Sequence, residues 1–274
     1  MTKYLGLMTK LARDAGAEIL AVYSDEDFGV ETKDDDSPLT RADLAAHRVI
    51  VSGLSKAAPE IPILSEESAE ISWNERSSWV RYFLVDPLDG TKEFISRNGE
   101  FTVNIALIEK GIPLAGVVYV PVTDVLYRAD QTKGLATVTR DGIERSIGTR
   151  RLKDNDPLVI VASRRHGGEA LDNCLTALDK LFPSIETTNM GSSLKLCLIA
   201  EGKADLYPRL APTSEWDTAA AQAIVEAAGG RVVDVDLDVL RYNTKADLIN
   251  PFFYVLADTE FDWSKVLSDI RPDH

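Results

Sequence analysis

The sequence predicts a mixed α/β protein built in two halves, and three observations carry that expectation. A helical apolar stripe opens the chain, and a succession of β-rich segments punctuated by Gly and Pro fills its middle. From residue 156 onward, short apolar runs alternate with helical patterns, the signature of an α/β unit. The break falls at Asp154-Asn155-Asp156-Pro157, so the expected halves are residues 1–155 and 156–274. With 274 residues, the chain is long enough to bury a sizeable core.

Residues 3–23 place Leu7, Leu11, Ala15, Ile19 and Val22 at helical spacing and predict an amphipathic helix. Asp34-Asp35-Asp36-Ser37-Pro38 is charged and stopped by proline, as a solvated loop would be. Thr40-Arg41-Ala42-Asp43 is a capping pattern that opens a second helix through residue 55. Residues 61–64 read as a short buried strand that runs into Ser65-Glu66-Glu67-Ser68, where a polar loop is the default reading. The apolar run 79–85 predicts another strand. Segments 101–109, 113–120 and 125–129 predict three more, and 135–147 a hairpin turning at Asp141-Gly142, together a mostly antiparallel sheet. Beyond the break, 158–162 and 204–208 read as strands and 169–182 and 193–201 as helices. An alanine-rich helix begins near Glu215 and stops at Gly229-Gly230. No internal repeat or low-complexity tract is present.

A formal charge of −14 argues against general nucleic-acid binding, which needs a basic footprint. It also obliges any anionic substrate to find cations placed locally. No apolar run approaches the length of a membrane span, and the N-terminus lacks a signal-peptide pattern. The expected location is therefore cytoplasmic, with peripheral attachment at the inner membrane as the second expectation. Cys174 and Cys197 sit in apolar helical patterns, which favours buried thiols over a disulfide or a zinc site.

The stretch Asp86-Pro87-Leu88-Asp89-Gly90-Thr91 carries the strongest chemical suggestion. Pro87 fixes one dihedral and has no N–H, so both carboxylates can lie on one side of a tight bend. The Leu88 carbonyl between them is a third hard oxygen donor, a set suited to Mg²⁺. Gly90 lets backbone approach a ligand, and Thr91 is expected to cap a helix whose N–H groups face an anion. Taken alone, the pentapeptide reads equally well as a surface turn. Asp217, at the head of the alanine-rich helix, reads first as an N-cap, although small alanines would let that helix pack closely and fix the carboxylate. Taken together, Glu66, Asp86, Asp89 and Asp217 are carboxylates without basic neighbours in sequence. Brought close, they need cations. Two Mg²⁺ ions about 3.5–4 Å apart would neutralise them while gripping a phosphate ester.

Three separated motifs, Leu64-Ser65-Glu66-Glu67-Ser68, Asp86-Pro87-Leu88-Asp89-Gly90-Thr91 and Trp216-Asp217-Thr218-Ala219-Ala220, resemble the signatures of the Mg²⁺-dependent, lithium-sensitive inositol monophosphatase superfamily. The resemblance runs over nearly the whole chain. Within the superfamily it is strongest to the CysQ-type 3′(2′),5′-bisphosphate nucleotidases, through Lys92-Glu93-Phe94-Ile95, residues 97–104, Ser163-Arg164-Arg165-His166, Gly191-Ser192-Ser193-Leu194-Lys195 and Tyr207-Pro208-Arg209. The fold so implied is a layered α-β-α-β-α sandwich with the site between two fused halves. By the same resemblance Glu66, Asp86, the Leu88 carbonyl, Asp89 and Asp217 hold Mg²⁺, as two or three ions. Thr91 and Glu67 orient and deprotonate a metal-activated water, and Asp43 hydrogen-bonds the Thr91 hydroxyl. Gly90, Thr91, His166, Gly191 and Lys195 match substrate contacts. Arg209 stands in the Tyr207-Pro208-Arg209-Leu210 segment where inositol monophosphatases carry a glutamate, and a guanidinium there favours a second phosphate.

The implied reaction is hydrolysis of the 3′-phosphate of adenosine 3′,5′-bisphosphate, with 3′-phosphoadenylyl sulfate as a further candidate substrate and sulfur assimilation as the setting. An inositol or sugar monophosphatase is the near alternative. A non-catalytic phosphometabolite-binding protein is the remote one. The residues say nothing of an oligomer.

Overall fold

Helix α1 (Leu5–Tyr23) buries Leu5, Met8, Leu11, Ala12, Ala15 and Ile19 along one side. The expected stripe therefore holds at Leu11, Ala15 and Ile19, with Met8 facing inward in place of the partly exposed Leu7. The computed structural model describes residues 3–25, 29, 31–32, 38–153, 156–162 and 168–267. The acidic run at 33–37 lies outside the described residues, as do Asp154, Asn155 and the segment 163–167. A short ribbon, β1 (Glu31–Thr32) with β2 (Pro38–Leu39), precedes α2 (Arg41–Ala57). Helix α2 starts as its sequence predicts, with a capping box between Thr40 and Asp43.

A seven-stranded sheet follows in chain order: β3 (Ile63–Ser65), β4 (Arg81–Asp89), β5 (Thr102–Glu109), β6 (Ile112–Val120), β7 (Val125–Asp130), β8 (Leu135–Arg140) and β9 (Ile143–Ser146). The helical turns α3 (Trp73–Arg76) and α4 (Thr91–Ile95) lie in its connections. Only the β3–β4 pair is parallel; every other neighbour is antiparallel. The β8–β9 hairpin turns at Asp141 (φ 52°) and Gly142 (φ 73°), the left-handed pair that a two-residue turn requires.

Alternation along the strands divides the buried residues into two cores. Phe83, Val85, Ile105, Leu107, Val117 and Tyr119 face α1 and α2. Tyr82, Leu84, Ala106, Ile108, Val118 and Val120 point the opposite way, toward α6 (Leu194–Ala200) and α7 (Glu215–Ala227). Beyond those helices lies a five-stranded sheet of β10 (Leu158–Ala162), β11 (Ile185–Asn189), β12 (Leu206–Arg209), β13 (Arg231–Asp234) and β14 (Phe253–Leu256), ordered β11-β10-β12-β14-β13. Its near face contributes Val161, Tyr207, Val232, Phe253 and Val255 to the core around α6 and α7. Its far face packs Ile160, Leu206, Tyr254 and Leu256 against α5 (Glu169–Leu178) and α8 (Trp263–Leu267). The layers are thus α-β-α-β-α.

Several boundaries differ from the expectations. β4 does not end before Asp86; it runs through Asp89, with Asp86 opposite Asn104 and Asp89 opposite Thr102. Three residue steps on β4 therefore face two on β5. The expected bend is a bulge inside a strand, a place where a proline without an N–H interrupts no ladder bond. Helix α5 ends at Leu178, four residues before the predicted end, with Asp179 as its C-cap. Strands β13 and β14 and helix α8 occupy a stretch for which the sequence offered no assignment. β14 enters antiparallel to both neighbours, so the second sheet is mixed. Cys174 and Cys197 are buried free thiols, as expected, and burial pushes Cys174 up to about 12. Among the described residues, no helix is long and apolar enough to cross a membrane.

Helix α7 is seated on β6 through Gly116, where an added Cβ would lie 2.1 Å from the Ala220 carbonyl oxygen. Backbone cannot yield as a side-chain tip can. Gly116→Ala should cost at least about 2 kcal/mol, the upper part of the usual overpacking range, as a lowered midpoint in urea unfolding. An unchanged midpoint would mean that the α7–β6 contact is looser than described.

Candidate active site

Residues 66–93 and 190–253 contribute side chains to one cavity of about 280 Å³. Glu66, Asp89, Gly90, Thr91, Gly191, Lys195, Arg209 and Asp217 all line it. Asp86 lies just behind, 1% exposed, and one carboxylate oxygen from each of Asp86, Asp89 and Asp217 falls within 4.8 Å of the others. Asp86 and Asp89 come from the two ends of the β4 bulge, whereas Asp217 comes from the first turn of α7. The expected convergence of residues far apart in sequence is present.

Local structure fixes each of these groups. Asp86 Oδ1 accepts the Leu88 N–H at 3.0 Å across the bulge. Asp217 is not the N-cap of α7: Ser214 is, and Asp217 stands at the third helical position of a capping box, with Oδ2 accepting the Ser214 N–H at 2.9 Å. One carboxylate oxygen caps the helix, and the other is left for the cluster. Nor does Thr91 cap α4. Gly90 holds that place with φ 92°, a conformation that suits glycine, and Thr91 is the first helical residue. The Thr91 hydroxyl instead donates to Asp43 Oδ1 at 3.1 Å, while Asp43 Oδ2 accepts the Thr40 N–H at 2.8 Å. Asp43 thus caps α2 and anchors Thr91 at once. Glu66 and Glu67 occupy a 3-10 turn (Glu66–Ser68), and Glu66 shares a side-chain hydrogen bond with Asp86. Behind that turn, His47 Nδ1 lies 2.9 Å from Ser65 Oγ.

The electrostatics are those of crowded like charges. Burial first, then the Glu66, Asp89 and Asp217 carboxylates, push Asp86 well above the ordinary carboxylate value. Asp217 is pushed up to about 8 by burial first and then by Asp89 and Glu66, against the pull of the Ser214 N–H and Arg209. An all-oxygen set that must otherwise take up protons fits a hard divalent cation.

The same cavity also carries positive charge. Lys195 is only 8% exposed, donates to the Ser192 carbonyl at 2.7 Å, and is lowered to about 8 chiefly by burial. Arg209, equally buried, donates to the Pro212 carbonyl at 2.7 Å. Both cations line the wall, and Lys195 is not the solvated helix residue that its position alone would suggest. The Gly191 N–H is already taken by Glu100 Oε2 at 2.6 Å, and an added Cβ there would lie 2.8 Å from the Glu100 carbonyl oxygen. Gly191 is thereby a point of close contact between the halves. His166 lies outside the described residues.

Ser193 and Asn104 escaped the sequence reading as site residues. Asp89 Oδ2 accepts the Ser193 N–H at 2.6 Å and its hydroxyl at 2.7 Å, and Asn104 Nδ2 donates to Ser193 Oγ at 2.8 Å. The available signal was Asn104 itself, an amide set between Val103 and Ile105 in an apolar strand.

The inositol monophosphatase family model matches residues 1–259. The chain belongs to that family. It is 49% identical over 247 residues to the 3′(2′),5′-bisphosphate nucleotidase CysQ of Salmonella typhimurium, covering 90% of this chain and 96% of the relative. The crystal structure of CysQ from Bacteroides thetaiotaomicron, described as a bacterial member of the inositol monophosphatase family, superposes with a TM-score of 0.83. It shares 41% identity over 95% of this chain and 100% of its own. An inositol monophosphatase from Anabaena superposes with a TM-score of 0.75 at 26% identity, over 98% of this chain and 96% of its own. The layered sandwich expected of the family is the one found here.

The raised Asp217 value makes a prediction for the cation-free protein. A carboxyl whose folded pKa exceeds its unfolded one keeps its proton longer in the folded state, so stability falls as pH rises from about 4 to about 8. In chelator, Asp217→Asn should remove part of the decline in Tm across that window, and calorimetry at several pH values would show it. Parallel pH profiles for the two proteins would mean that Asp217 does not carry the strain.

Proposed function

We propose that this family member is a Mg²⁺-dependent phosphomonoesterase that removes the 3′-phosphate of adenosine 3′,5′-bisphosphate, giving AMP and phosphate. One observation carries the reading: a three-carboxylate cluster and two buried cations, Lys195 and Arg209, converge on a single cavity. A molecule with two phosphates has an end for each. The 49% identity to a bisphosphate nucleotidase supports that choice of substrate class.

Glu66, Asp86, the Leu88 carbonyl, Asp89 and Asp217 would hold Mg²⁺, as two or three ions. Residues 1–155 supply four of these groups and residues 156–274 the last. Bound there, Mg²⁺ supplies a counter-charge for the phosphoryl oxygens and a lowered pKa for water. Thr91 gives its only proton to Asp43, so its oxygen remains an acceptor aimed at the attacking water. Glu67, beside Glu66 on the same turn, takes the proton that this water loses. The N–H groups at Gly90 and Thr91 face the phosphoryl oxygens. Lys195 and Arg209 hold the second phosphate, one as a point charge and the other as a planar fork. His166 completes the substrate contacts of this proposal. No side chain becomes phosphorylated: the thiols are buried, and Thr91 is occupied in orienting water.

A phosphate-release panel with adenosine 3′,5′-bisphosphate, 3′-phosphoadenylyl sulfate and inositol 1-phosphate tests the substrate. The first should be preferred with Mg²⁺, and activity should fall with added Li⁺ or Ca²⁺. Preference for inositol 1-phosphate would make the protein an inositol phosphatase, and absence of Mg²⁺-dependent release would leave only phosphometabolite binding. Asp89→Asn should lower kcat by at least about 10³-fold with Tm retained, since ionised oxygen and charge are lost together. Near-wild-type turnover would remove Asp89 from the metal site. Lys195→Ala should raise KM about 10- to 100-fold with little change in kcat, as expected for a charge-assisted contact to a non-reacting phosphate. A fall in kcat alone would place the lysine at the reacting phosphate.

A further inference from the structure

We propose that Ser193 is a positioning residue that pins the two halves of the metal site together, its hydroxyl fixing which oxygen of Asp89 meets the ion. The inference rests on the reading of Asp89 as a metal ligand and adds a residue to it. Ser193 precedes α6 and is 2% exposed. It touches both halves at once, through Asp89 of β4 and the backbone carbonyl of Asp217 in α7.

The hydrogen-bond inventory at this point is tight. Asp89 Oδ2 accepts the Ser193 N–H at 2.6 Å and the Ser193 hydroxyl at 2.7 Å, with Asn104 Nδ2 at 3.3 Å as a weaker donor. That oxygen is saturated. Oδ1 takes part in none of these bonds and is the oxygen left for an ion, so Asp89 can offer a single oxygen in a fixed direction.

Ser193 Oγ is also 2.7 Å from the Asp217 carbonyl oxygen. A hydroxyl carries one proton, so Asp89 Oδ2 and the Asp217 carbonyl compete for it. The charged acceptor, Asp89 Oδ2, takes the proton, and Asn104 holds the oxygen that carries it. Its Nδ2 donates into a lone pair of Ser193 Oγ at 2.8 Å, and its Oδ1 accepts the Thr102 hydroxyl at 3.0 Å, which orients the amide. Flipped, the amide would turn an oxygen toward Asp89 and repel it. Asn104 and Thr102 are buried at 1% and 0% exposure, so water cannot replace these bonds.

Ser193→Ala tests this, because it keeps the backbone N–H to Asp89 and removes only the hydroxyl. Mn²⁺ binding to the substrate-free protein, followed by calorimetry and by the paramagnetic signal of free Mn²⁺, should show a dissociation constant raised about tenfold, because Asp89 loses its pre-set orientation and must be ordered as the ion binds. kcat should fall with it, while KM for adenosine 3′,5′-bisphosphate stays within about twofold of wild type. Asn104→Ala should weaken Mn²⁺ binding as well, and the double variant should be little worse than either single one, because both act through one proton. A merely structural role would lower Tm and leave Mn²⁺ affinity of the folded protein unchanged. Wild-type Mn²⁺ affinity in Ser193→Ala, or full additivity in the double variant, would overturn the inference while the metal reading stands. Failure of wild-type protein to bind Mn²⁺ would overturn both.

Discussion

Repulsion among buried carboxylates is the constraint on which this structure turns. Asp86, Asp89 and Asp217 stand within 4.8 Å of one another, with Glu66 bonded to Asp86, and the site works against itself until opposite charge arrives. Placing such groups together costs stability. The layers around them are what supply it: two helices outside each sheet and two between, enclosing continuous apolar cores. The acid chemistry is confined to one end of that stack, where β4 and α7 present their polar residues.

Two local irregularities convert the stack into a site. In β4, the bulge at Pro87 and Leu88 turns what would be alternate-face residues into a pair that share a side. In α7, the capping box uses one oxygen of Asp217 for the helix and leaves the other for the cluster. Each device lets one residue serve structure and chemistry together. Asp43 repeats the pattern, capping α2 with one oxygen and holding Thr91 with the other. This economy explains why each acidic residue had an ordinary reading when taken alone.

Much of this was legible in the chain. Hydrophobic period and turn residues marked α1, α2, the antiparallel strands and the β8–β9 hairpin, because those signals are local. The convergence of Glu66, Asp86, Asp89 and Asp217 was also visible, since carboxylates at the ends of predicted elements imply a common counter-charge. The bulge was not, because register is decided by the partner strand: only opposite Asn104 and Thr102 does Asp86 to Asp89 gain a residue. The N-cap assignment of Asp217 failed for a similar reason. Ser214 competes for that position, and the helix begins at Glu215 as its pattern predicted, which leaves Asp217 inside the first turn. Ser193 and Asn104 went unread because their function lies in a hydrogen-bond arrangement between distant segments. β13 and α8 were missed where short apolar runs are broken by charged residues and carry no clear period, whereas the unbroken run 252–257 that contains β14 was a strand signal left unassigned.

The shared middle layer has a mechanical consequence. Helices α6 and α7 belong to neither sheet alone, and Gly116 lets Ala220 sit against β6 with no room for a methyl group. Prising the sheets apart would therefore tear a continuous interior rather than flex a seam. The molecule has no jaws. Movement is thereby confined to small adjustments at the rim, over a floor that two helices common to both sheets hold in place.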